Sequence, residues 1–403
     1  MCPIFSQLKK VFPKSNFIDY LQSKSECNPN VSKSLPKINN ATNLSDNLKF
    51  FPIKFEDPND HWQILKLIGI GAFGKIYKVK NIHNDQIAAM KVIQITKEFD
   101  LDELIIEIDI LRKCNHKNII SYYESFLHEK KIYIILEYCS LGSLDRIISN
   151  LERQLKEKEI KYIAWQILEA LAYLHEKVFV IHRDIKAANI LVSQNGDLKL
   201  ADFGVSAKNW YLEQKKTTFT GSPYWVSPEI ISSQNHLFVT YNNKVDIWSL
   251  GITCIEIADK QPPNIHLGPC EAMEKIKKEG SPSLKNPQEW SIQFQNFISE
   301  CLIKKPKDRP SAFTLLKHPF LENIENSIPE FVSESYSYLE ADLMNNSRSE
   351  SIESASSGYL TDSNSNINSL MLKKHKPLPD IPQRSYNVKQ IKGAFSYFDN
   401  KSF

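Results

Sequence analysis

Residues 182–189 read His-Arg-Asp-Ile-Lys-Ala-Ala-Asn, and residues 202–204, which follow a short alternating run, read Asp-Phe-Gly. Phosphoryl transfer needs a group that orients the attacking hydroxyl and oxygen ligands that hold magnesium. The first stretch supplies Asp184 for the hydroxyl and Asn189 for the metal, and the second supplies Asp202 as a further metal ligand. The order and spacing of these groups predict a site for a metal-bound nucleotide triphosphate.

A glycine-rich turn precedes these stretches and reads Gly69-Ile70-Gly71-Ala72-Phe73-Gly74. Dinucleotide-binding folds use the same glycine spacing, but a helix then follows at once. Here Lys75 to Val79 alternates as a strand, which indicates a flap between two strands whose backbone amides approach phosphates. Taken alone, the turn would favour an ordinary hairpin.

A lysine follows in the third predicted strand, 87–93, as part of Ala88-Ala89-Met90-Lys91. Its charge would hold the α- and β-phosphates if a carboxylate fixed the side chain. Glu107 is the candidate carboxylate, because it lies in a helical pattern over 98–113 whose apolar face turns toward the sheet. Glu103 is the alternative.

The strand pattern over 132–136 runs into Glu137-Tyr138-Cys139, the predicted hinge between two lobes. Backbone groups of Glu137 and Cys139 would bond the edge of an adenine, with Leu136 at the rear of its pocket. A plain strand end would give the same pattern.

Lys186 follows Asp184 by two residues and would neutralise charge on the transferring phosphoryl group, and Arg183 offers a fork for a phosphorylated residue. Hydroxyls that phosphorylation could use as a switch precede Ser227-Pro228-Glu229, at Thr217, Thr218 and Thr220. Thr218 is the preferred switch.

Three further charged residues have structural interpretations. Glu229 and Arg309 suit a buried ion pair, and Asp246 suits a brace for the loop that carries Asp184. Helix capping or surface charge would explain any one of them alone.

The composition of the whole chain excludes several classes of protein. It has 403 residues, 50 basic and 47 acidic, so it lacks the strong positive field of a nucleic-acid binder. Its 7 cysteines are widely spaced and form no zinc pattern, which favours a reducing compartment. The chain has no apolar run long enough to span a membrane and no secretory signal, so we expect a cytoplasmic protein that does not bind membranes.

The composition and the hydrophobic pattern along the chain predict one folded region between two disordered tails. Residues 1–55 are polar, and residues 333–403 are first rich in serine and then basic. Between them, 62–321 begins with strands and continues with helices, which predicts an α+β fold of two lobes: a small five-stranded β lobe with one helix and a larger α-helical lobe. In the second tail, Pro379 to Arg384 has the PxxPxR pattern of SH3 ligands.

Together these residues resemble the eukaryotic protein kinases, from about Asp57 to Leu321. Four stretches resemble the sterile-20-like, germinal-centre-kinase group: Asp57-Pro58-Asn59, Ala201 to Asn209, Asp246 to Thr253 and Ser281 to Leu284. Within that group the likeness is greatest to the Ste-like (SLK) and lymphocyte-oriented kinase branch.

The resemblance implies a bilobal protein-kinase fold and a serine/threonine protein kinase that acts on protein substrates, with ATP and Mg²⁺ as cosubstrates. It also implies autophosphorylation of the activation segment and a homodimer formed through that segment. It completes the candidate nucleotide-binding residues with Ile76, Ala89 and Leu191. The chain departs from the family pattern at Ile76, where valine is usual, at Ser222, where threonine is usual, and at Ser227, where alanine is usual. It also has no sustained heptads after the core.

Two other functions compete with that of an active enzyme. A pseudokinase or scaffold would use the same fold without catalysis. An adaptor would act mainly through its proline motif.

Overall fold

A computed structural model describes residues 53–71, 74–95, 101–204, 206–208, 222–233, 241–324 and 328–338. It has a β-sheet small lobe and a larger, mainly helical lobe, which confirms the predicted α+β bilobal fold. None of the helices in these ranges is both long enough and apolar enough to cross a bilayer.

The small lobe is a mixed sheet of six strands in the order β1-β5-β6-β4-β3-β2, with helix α1 as its only helix longer than one turn in the described ranges. Only β1 and β5 pair in parallel. The bounds are β1 Ile53–Lys54, β2 Trp62–Gly71, β3 Gly74–Asn81, β4 Ile87–Gln94, α1 Leu101–Lys113, β5 Tyr122–His128 and β6 Lys131–Glu137.

The sixth strand corrects two predictions, the five-stranded sheet and the disordered tail over 1–55. Ile53 and Lys54 form β1 and pair with Ser125 and Phe126 of β5. A strand of two residues is too short to show alternation, and its pairing with β5 depends on residues far along the chain. Residues 1–52 lie outside the described residues.

The large lobe is built around helix α5, whose sequence is apolar on every side. Most of its residues are buried, as expected for a helix at the centre of a domain. Gly251 lets α5 approach its neighbour α7, because a Cβ at this position would lie 2.7 Å from the Cβ of Cys301. The helices are α2 Leu144–Asn150, α3 Glu157–Tyr173, α4 Pro228–Ser233, α5 Lys244–Asp259, α6 Pro269–Lys278, α7 Ile292–Cys301 and α8 Ala312–Leu315.

Short strands of the large lobe carry the predicted catalytic segments. They are β7 Gly142–Ser143, β8 Val180–Ile181, β9 Ile190–Val192, β10 Leu198–Leu200 and β11 Ala207–Lys208. Ile119, which lies between α1 and β5, forms a parallel bridge with Leu200 of β10. The chain between α1 and β5 is therefore attached to the strand that leads into Asp202.

Residues 330–338 are helical and pack on the large lobe, so the predicted disordered tail over 333–403 is wrong for 333–338. Phe331 is fully buried, and its N–H donates to Glu159 Oε1 at 3.0 Å. Arg153 connects Glu159 with Glu334. The serine-rich composition hid this helix, because Phe331 and Val332 alone give no periodicity. Residues 339–403, including the proline motif, lie outside the described residues.

We expect Phe331→Ala to destabilise the fold by about 3 kcal/mol, because removing a fully buried aromatic ring leaves a cavity. The melting temperature of the full chain would measure this, with Tyr338→Ala as the control, since Tyr338 is 46% exposed in the same helical segment. Equal melting temperatures for the two variants would show that the segment is not part of the folded lobe.

Candidate active site

The segment that carries Asp184 is held by a buried carboxylate of α5. Asp246 Oδ2 accepts the backbone N–H of His182 at 2.9 Å, and Oδ1 accepts that of Arg183 at 2.8 Å. Burial opposes ionisation of Asp246, but His175, whose Nε2 lies 2.8 Å from Oδ2, helps to lower its pKa below the ordinary value. Arg183 has a left-handed φ of 71°, a strained conformation that these bonds stabilise. The predicted bracing contact of Asp246 is confirmed.

The carboxylate of Asp184 is surrounded by donors. Oδ1 accepts the backbone N–H and the hydroxyl of Ser222, at 3.1 and 2.9 Å. Oδ2 accepts Lys186 Nζ and Asn189 Nδ2, both at 2.8 Å. Burial would raise the pKa of Asp184, but the charge of Lys186 and the bonds from Lys186 and Ser222 outweigh it, so this pKa is lowered. The group is an ionised acceptor with a fixed orientation.

Helix α1 brings Glu107 to Lys91, as predicted. Lys91 Nζ lies 2.9 Å from Glu107 Oε1 and 3.5 Å from Asp202 Oδ1. Burial opposes the charge on Lys91, but the two carboxylates outweigh it and raise its pKa. Lys91 therefore remains a cation at the entry to the predicted phosphate site.

Asp202 and Asn189 have donor atoms that suit magnesium. Asp202 has a left-handed φ of 63°, and its buried Oδ1 has the ion-pair contact with Lys91 at 3.5 Å but no closer donor among the described residues. Asn189 donates through Nδ2 to the backbone O and Oδ2 of Asp184, both at 2.8 Å, which leaves its carbonyl oxygen to act as a ligand. The N–H of Ala201 donates to Asn189 O at 2.9 Å, so the two ligand segments are adjacent. Carboxylate and amide oxygens are the ligands that magnesium prefers.

The glycine-rich turn joins β2 to β3, so a strand follows it, as predicted. Gly74 has a φ of 149°, and a Cβ there would lie 1.9 Å from Val92 O, so only glycine fits. Ile76 of β3 pairs with Lys91 of β4. Gly69, Ile70 and Gly71 end β2, whereas Ala72 and Phe73 lie outside the described residues.

The hinge contains an ion pair that the sequence analysis missed. Glu137 Oε1 lies 3.0 Å from Lys199 Nζ of β10, and its Oε2 accepts the hydroxyl of Ser121 at 3.0 Å. The only signal for Lys199 was a lysine between two apolar residues of a short strand. The backbone N–H of Glu137 also donates, to Ser121 O at 2.9 Å, so the carbonyl oxygen is the group of Glu137 that we expect to bond a base.

The other candidate residues of the base site surround this hinge. Ala89 pairs with Leu136 across β4 and β6, and Leu191 is half-buried against the core of the large lobe. Cys139 is buried, and desolvation raises the pKa of its thiol to about 12, so the thiol stays protonated at neutral pH.

Thr217, Thr218 and Thr220 lie outside the described residues. Arg183, their predicted phosphate partner, donates from Nη1 to the hydroxyl of Tyr241 at 2.9 Å. Its Nε is buried and has no hydrogen-bond partner among the described residues. One edge of the guanidinium therefore retains donor capacity.

A buried carboxylate outside the predicted set, Glu256 of α5, connects two parts of the site. Its Oε2 accepts the backbone N–H of Ala187 at 3.0 Å and the indole N–H of Trp225 at 2.9 Å. Desolvation is the main cause that raises the pKa of Glu256 to about 7. No sequence signal pointed to Glu256, because it lies in the same helix as Asp246 to Thr253 but beyond that stretch, among apolar residues.

We expect the free energy of unfolding of Glu256→Gln to increase relative to that of wild type as the pH rises from 5 to 8. The difference should change by up to about 3 kcal/mol over this range. The pKa of Glu256 is higher in the folded chain than its ordinary value of 4.5, so its contribution to stability is complete below that value and is lost as the pH passes about 7. Glutamine keeps the acceptor and removes the titration. The free energy of unfolding in urea, measured for both proteins at several pH values, would test this; a difference independent of pH would contradict it.

The comparisons with known proteins agree with this geometry. Residues 62–321 match the family model described as a protein kinase domain. The chain is 44% identical over 280 residues to serine/threonine-protein kinase 10 of Homo sapiens, which covers 69% of this chain and 29% of that protein. It is 43% identical over 270 residues to serine/threonine-protein kinase dst2 of Dictyostelium discoideum, which covers 66% of this chain and 23% of that protein.

The chain thus spans less than a third of the length of these relatives, since it matches 29% of the first and 23% of the second. The match to the family model covers more than half of the chain. The predicted resemblance to the protein kinases, and to their sterile-20-like group, is confirmed. This chain belongs to the protein kinase family.

Proposed function

We propose that the chain transfers the γ-phosphoryl group of ATP to serine and threonine hydroxyls of proteins. The observation that carries the proposal is the set of donors around Asp184, which come from Ser222, Lys186 and Asn189. These donors keep the Asp184 carboxylate ionised and fix its orientation. The carboxylate lies next to the segment that leads from β10 to Asp202. A pseudokinase would not need this arrangement, so an active enzyme is favoured over a scaffold.

Each charged group then has one role. Asp184 accepts a hydrogen bond from the substrate hydroxyl and orients the hydroxyl oxygen toward the γ-phosphorus. As the bond from this oxygen to the γ-phosphorus forms, the bond to the β,γ-bridging oxygen breaks, ADP leaves, and Asp184 takes the hydroxyl proton. Lys186, 2.8 Å from Asp184, stabilises charge on the transferring group. Lys91, fixed by Glu107, holds the α- and β-phosphates.

Magnesium, held by Asn189 and Asp202, would neutralise charge on the β- and γ-phosphates. The glycine-rich turn would cover these phosphates, and Gly74 lets the backbone there come close to a neighbouring strand. The base would lie between Ile76 and Ala89 on one side and Leu191 on the other, with its edge at the backbone of Glu137 and Cys139.

Specificity for serine and threonine rests on the contacts between Lys186 and Ser222. Lys186 Nζ lies 2.6 Å from Ser222 Oγ, and both residues contact Asp184. Lys186 and Ser222 together narrow the space in front of the Asp184 carboxylate. A narrow space suits the short aliphatic hydroxyl of serine or threonine. The two relatives named above are serine/threonine-protein kinases, which supports the same specificity.

The test is phosphoryl transfer from labelled ATP to a generic basic protein, with wild type and Lys91→Met compared and the products mapped by mass spectrometry. We expect phosphoserine and phosphothreonine with wild type and almost none with Lys91→Met. Absence of transfer by pure, folded wild type at several substrate concentrations, or equal transfer by Lys91→Met, would refute the function.

Phosphorylation of Thr218, with Thr217 and Thr220 as alternatives, is the proposed activating switch. It is supported by the buried Nε of Arg183, which has no partner among the described residues. The mass-spectrometric mapping described above also tests this switch.

A homodimer formed through the activation segment follows from the resemblance alone. An SH3 partner at Pro379 to Arg384 and a cytoplasmic location follow from the sequence alone.

A further inference from the structure

Strand β1 lies ahead of residue 62, where the protein kinase match begins, yet it is part of the sheet. Glu124 of β5 fixes it from two sides. Lys54 Nζ lies 2.6 Å from Glu124 Oε2, and the indole N–H of Trp62 donates to Oε1 at 2.6 Å. One carboxylate therefore binds β1 and the first residue of β2 to the same strand.

The side chain of Ile53 belongs to the apolar layer that holds helix α1. Ile53 is 8% exposed and lies in a cluster of six buried residues, which are Ile53, Ile93, Leu104, Ile108, Ile132 and Ile134. Two of them, Leu104 and Ile108, form one face of α1. The layer therefore has contributions from the sheet, from α1 and from the short strand ahead of the kinase match.

A second apolar cluster of the small lobe contains no residue of α1. Its members are Trp62, Val79, Ala88, Met90, Phe126 and Ile135. The two clusters make a natural comparison, because loss of volume from either weakens the small lobe, but only the first supports α1.

The position of α1 determines whether Glu107 reaches Lys91. Glu107 precedes Ile108, and its Oε1 lies 2.9 Å from Lys91 Nζ. Side chains of a packed core shift partly into the space that a neighbour vacates, so loss of volume from the cluster that contains Leu104 and Ile108 gives α1 room to move. A displacement of about 1 Å would break an ion pair at hydrogen-bond distance.

We propose that Ile53 is a positioning residue, which holds α1 so that Glu107 keeps its contact with Lys91. The segment ahead of the kinase domain then acts on ATP binding through the apolar layer, without touching the nucleotide. The inference rests on the proposed roles of Lys91 and Glu107.

The first test compares three substitutions in the full chain. Ile53→Ala is expected to lower kcat/KM for ATP about tenfold, and Ile53→Val by about twofold or less. Val79→Ala, which removes volume from the second cluster, is the matched control. It is expected to lower the melting temperature and to leave kcat/KM within about twofold of wild type. Ile53→Ala protein with unchanged kcat/KM would overturn the proposal.

A double-mutant cycle separates positioning from general weakening. If Ile53 acts through Glu107, Ile53→Ala should cause no further loss of activity in a Glu107→Gln background. An equal loss in both backgrounds would overturn the proposal and assign Ile53 a merely structural role. Inactive wild type would refute the proposed function, whereas active wild type with additive losses would refute only this inference. If Ile53→Ala does not fold, the same cycle is carried out with Ile53→Val.

Discussion

Asp184→Asn should lower kcat for phosphoryl transfer by roughly a thousandfold, while the protein stays folded. The reason is that asparagine keeps the size of the side chain but loses the ionised oxygen that would receive the proton. It also presents an amide donor where Asp184 Oδ2 now accepts Lys186 Nζ and Asn189 Nδ2. The expected effect falls on kcat, since Asp184 is placed at the hydroxyl and not at ATP.

The measurement is the initial rate of phosphate transfer at saturating ATP, together with the melting temperature. Asp197→Asn is the matched control, because it makes the same chemical change in the turn that joins β9 to β10. We expect the control to retain activity close to that of wild type. A loss of less than about tenfold in folded Asp184→Asn protein would contradict the role given to this carboxylate.

The pKa of Asp184 also limits how activity can depend on pH. Because its pKa is lowered in the folded protein, the group is already ionised well below neutral pH. Titration of Asp184 therefore cannot cause a change in rate between pH 6 and 8. Glu256, with a pKa of about 7, is a buried group that does titrate in this window.

The sequence was sufficient where a role depends on a motif or on local periodicity. Glu107 could be chosen because Leu104, Ile108 and Leu111 define one face of a helix, and the contact with Lys91 confirms the choice. The strand after the glycine-rich turn could be predicted because Lys75 to Val79 alternates. In both cases the information lies within a few residues of the group concerned.

The sequence was not sufficient where a role depends on tertiary packing. Lys199 and Glu256 belong to no motif, and only the fold brings them to Glu137 and Ala187. The left-handed conformation of Arg183 is likewise imposed by its surroundings, since arginine does not favour a φ near 70°. Strain of this kind at a site is held by bonds from distant segments, such as those of Asp246.

The folded segments on either side of the matched kinase domain could not be predicted from the sequence either. Ile53 and Phe331 lie in segments whose composition resembles that of disordered tails, yet each is buried against the domain. A few apolar residues in a polar segment give no periodicity, so the sequence does not tell which of them find a complementary surface. Their burial depends on β5 and on α3, which are distant along the chain.

Arg309→Leu should destabilise the large lobe by about 3 to 5 kcal/mol, because it removes one partner of a buried ion pair. Arg309 is 1% exposed. Its Nη1 and Nη2 bind the two carboxylate oxygens of Glu229 at 2.8 and 3.2 Å, which confirms the predicted pair, and its Nε donates to Ile303 O at 2.8 Å. Leucine would leave the carboxylate of Glu229 and this carbonyl oxygen without their donors.

The melting temperature of the double variant Glu229→Leu with Arg309→Leu tells whether the unpaired charge is the cause. Removal of both partners leaves no uncompensated charge, so we expect it to recover part of the stability lost in Arg309→Leu. Lys307→Leu, which changes an exposed cation two residues away, is the control and should have almost no effect. If the double variant were less stable than Arg309→Leu, the cost would lie in the lost packing of the two side chains. Glu229 is the second residue of α4, which follows the segment that holds Ser222, so this ion pair helps to fix the end of that segment to the lobe that carries Asp184.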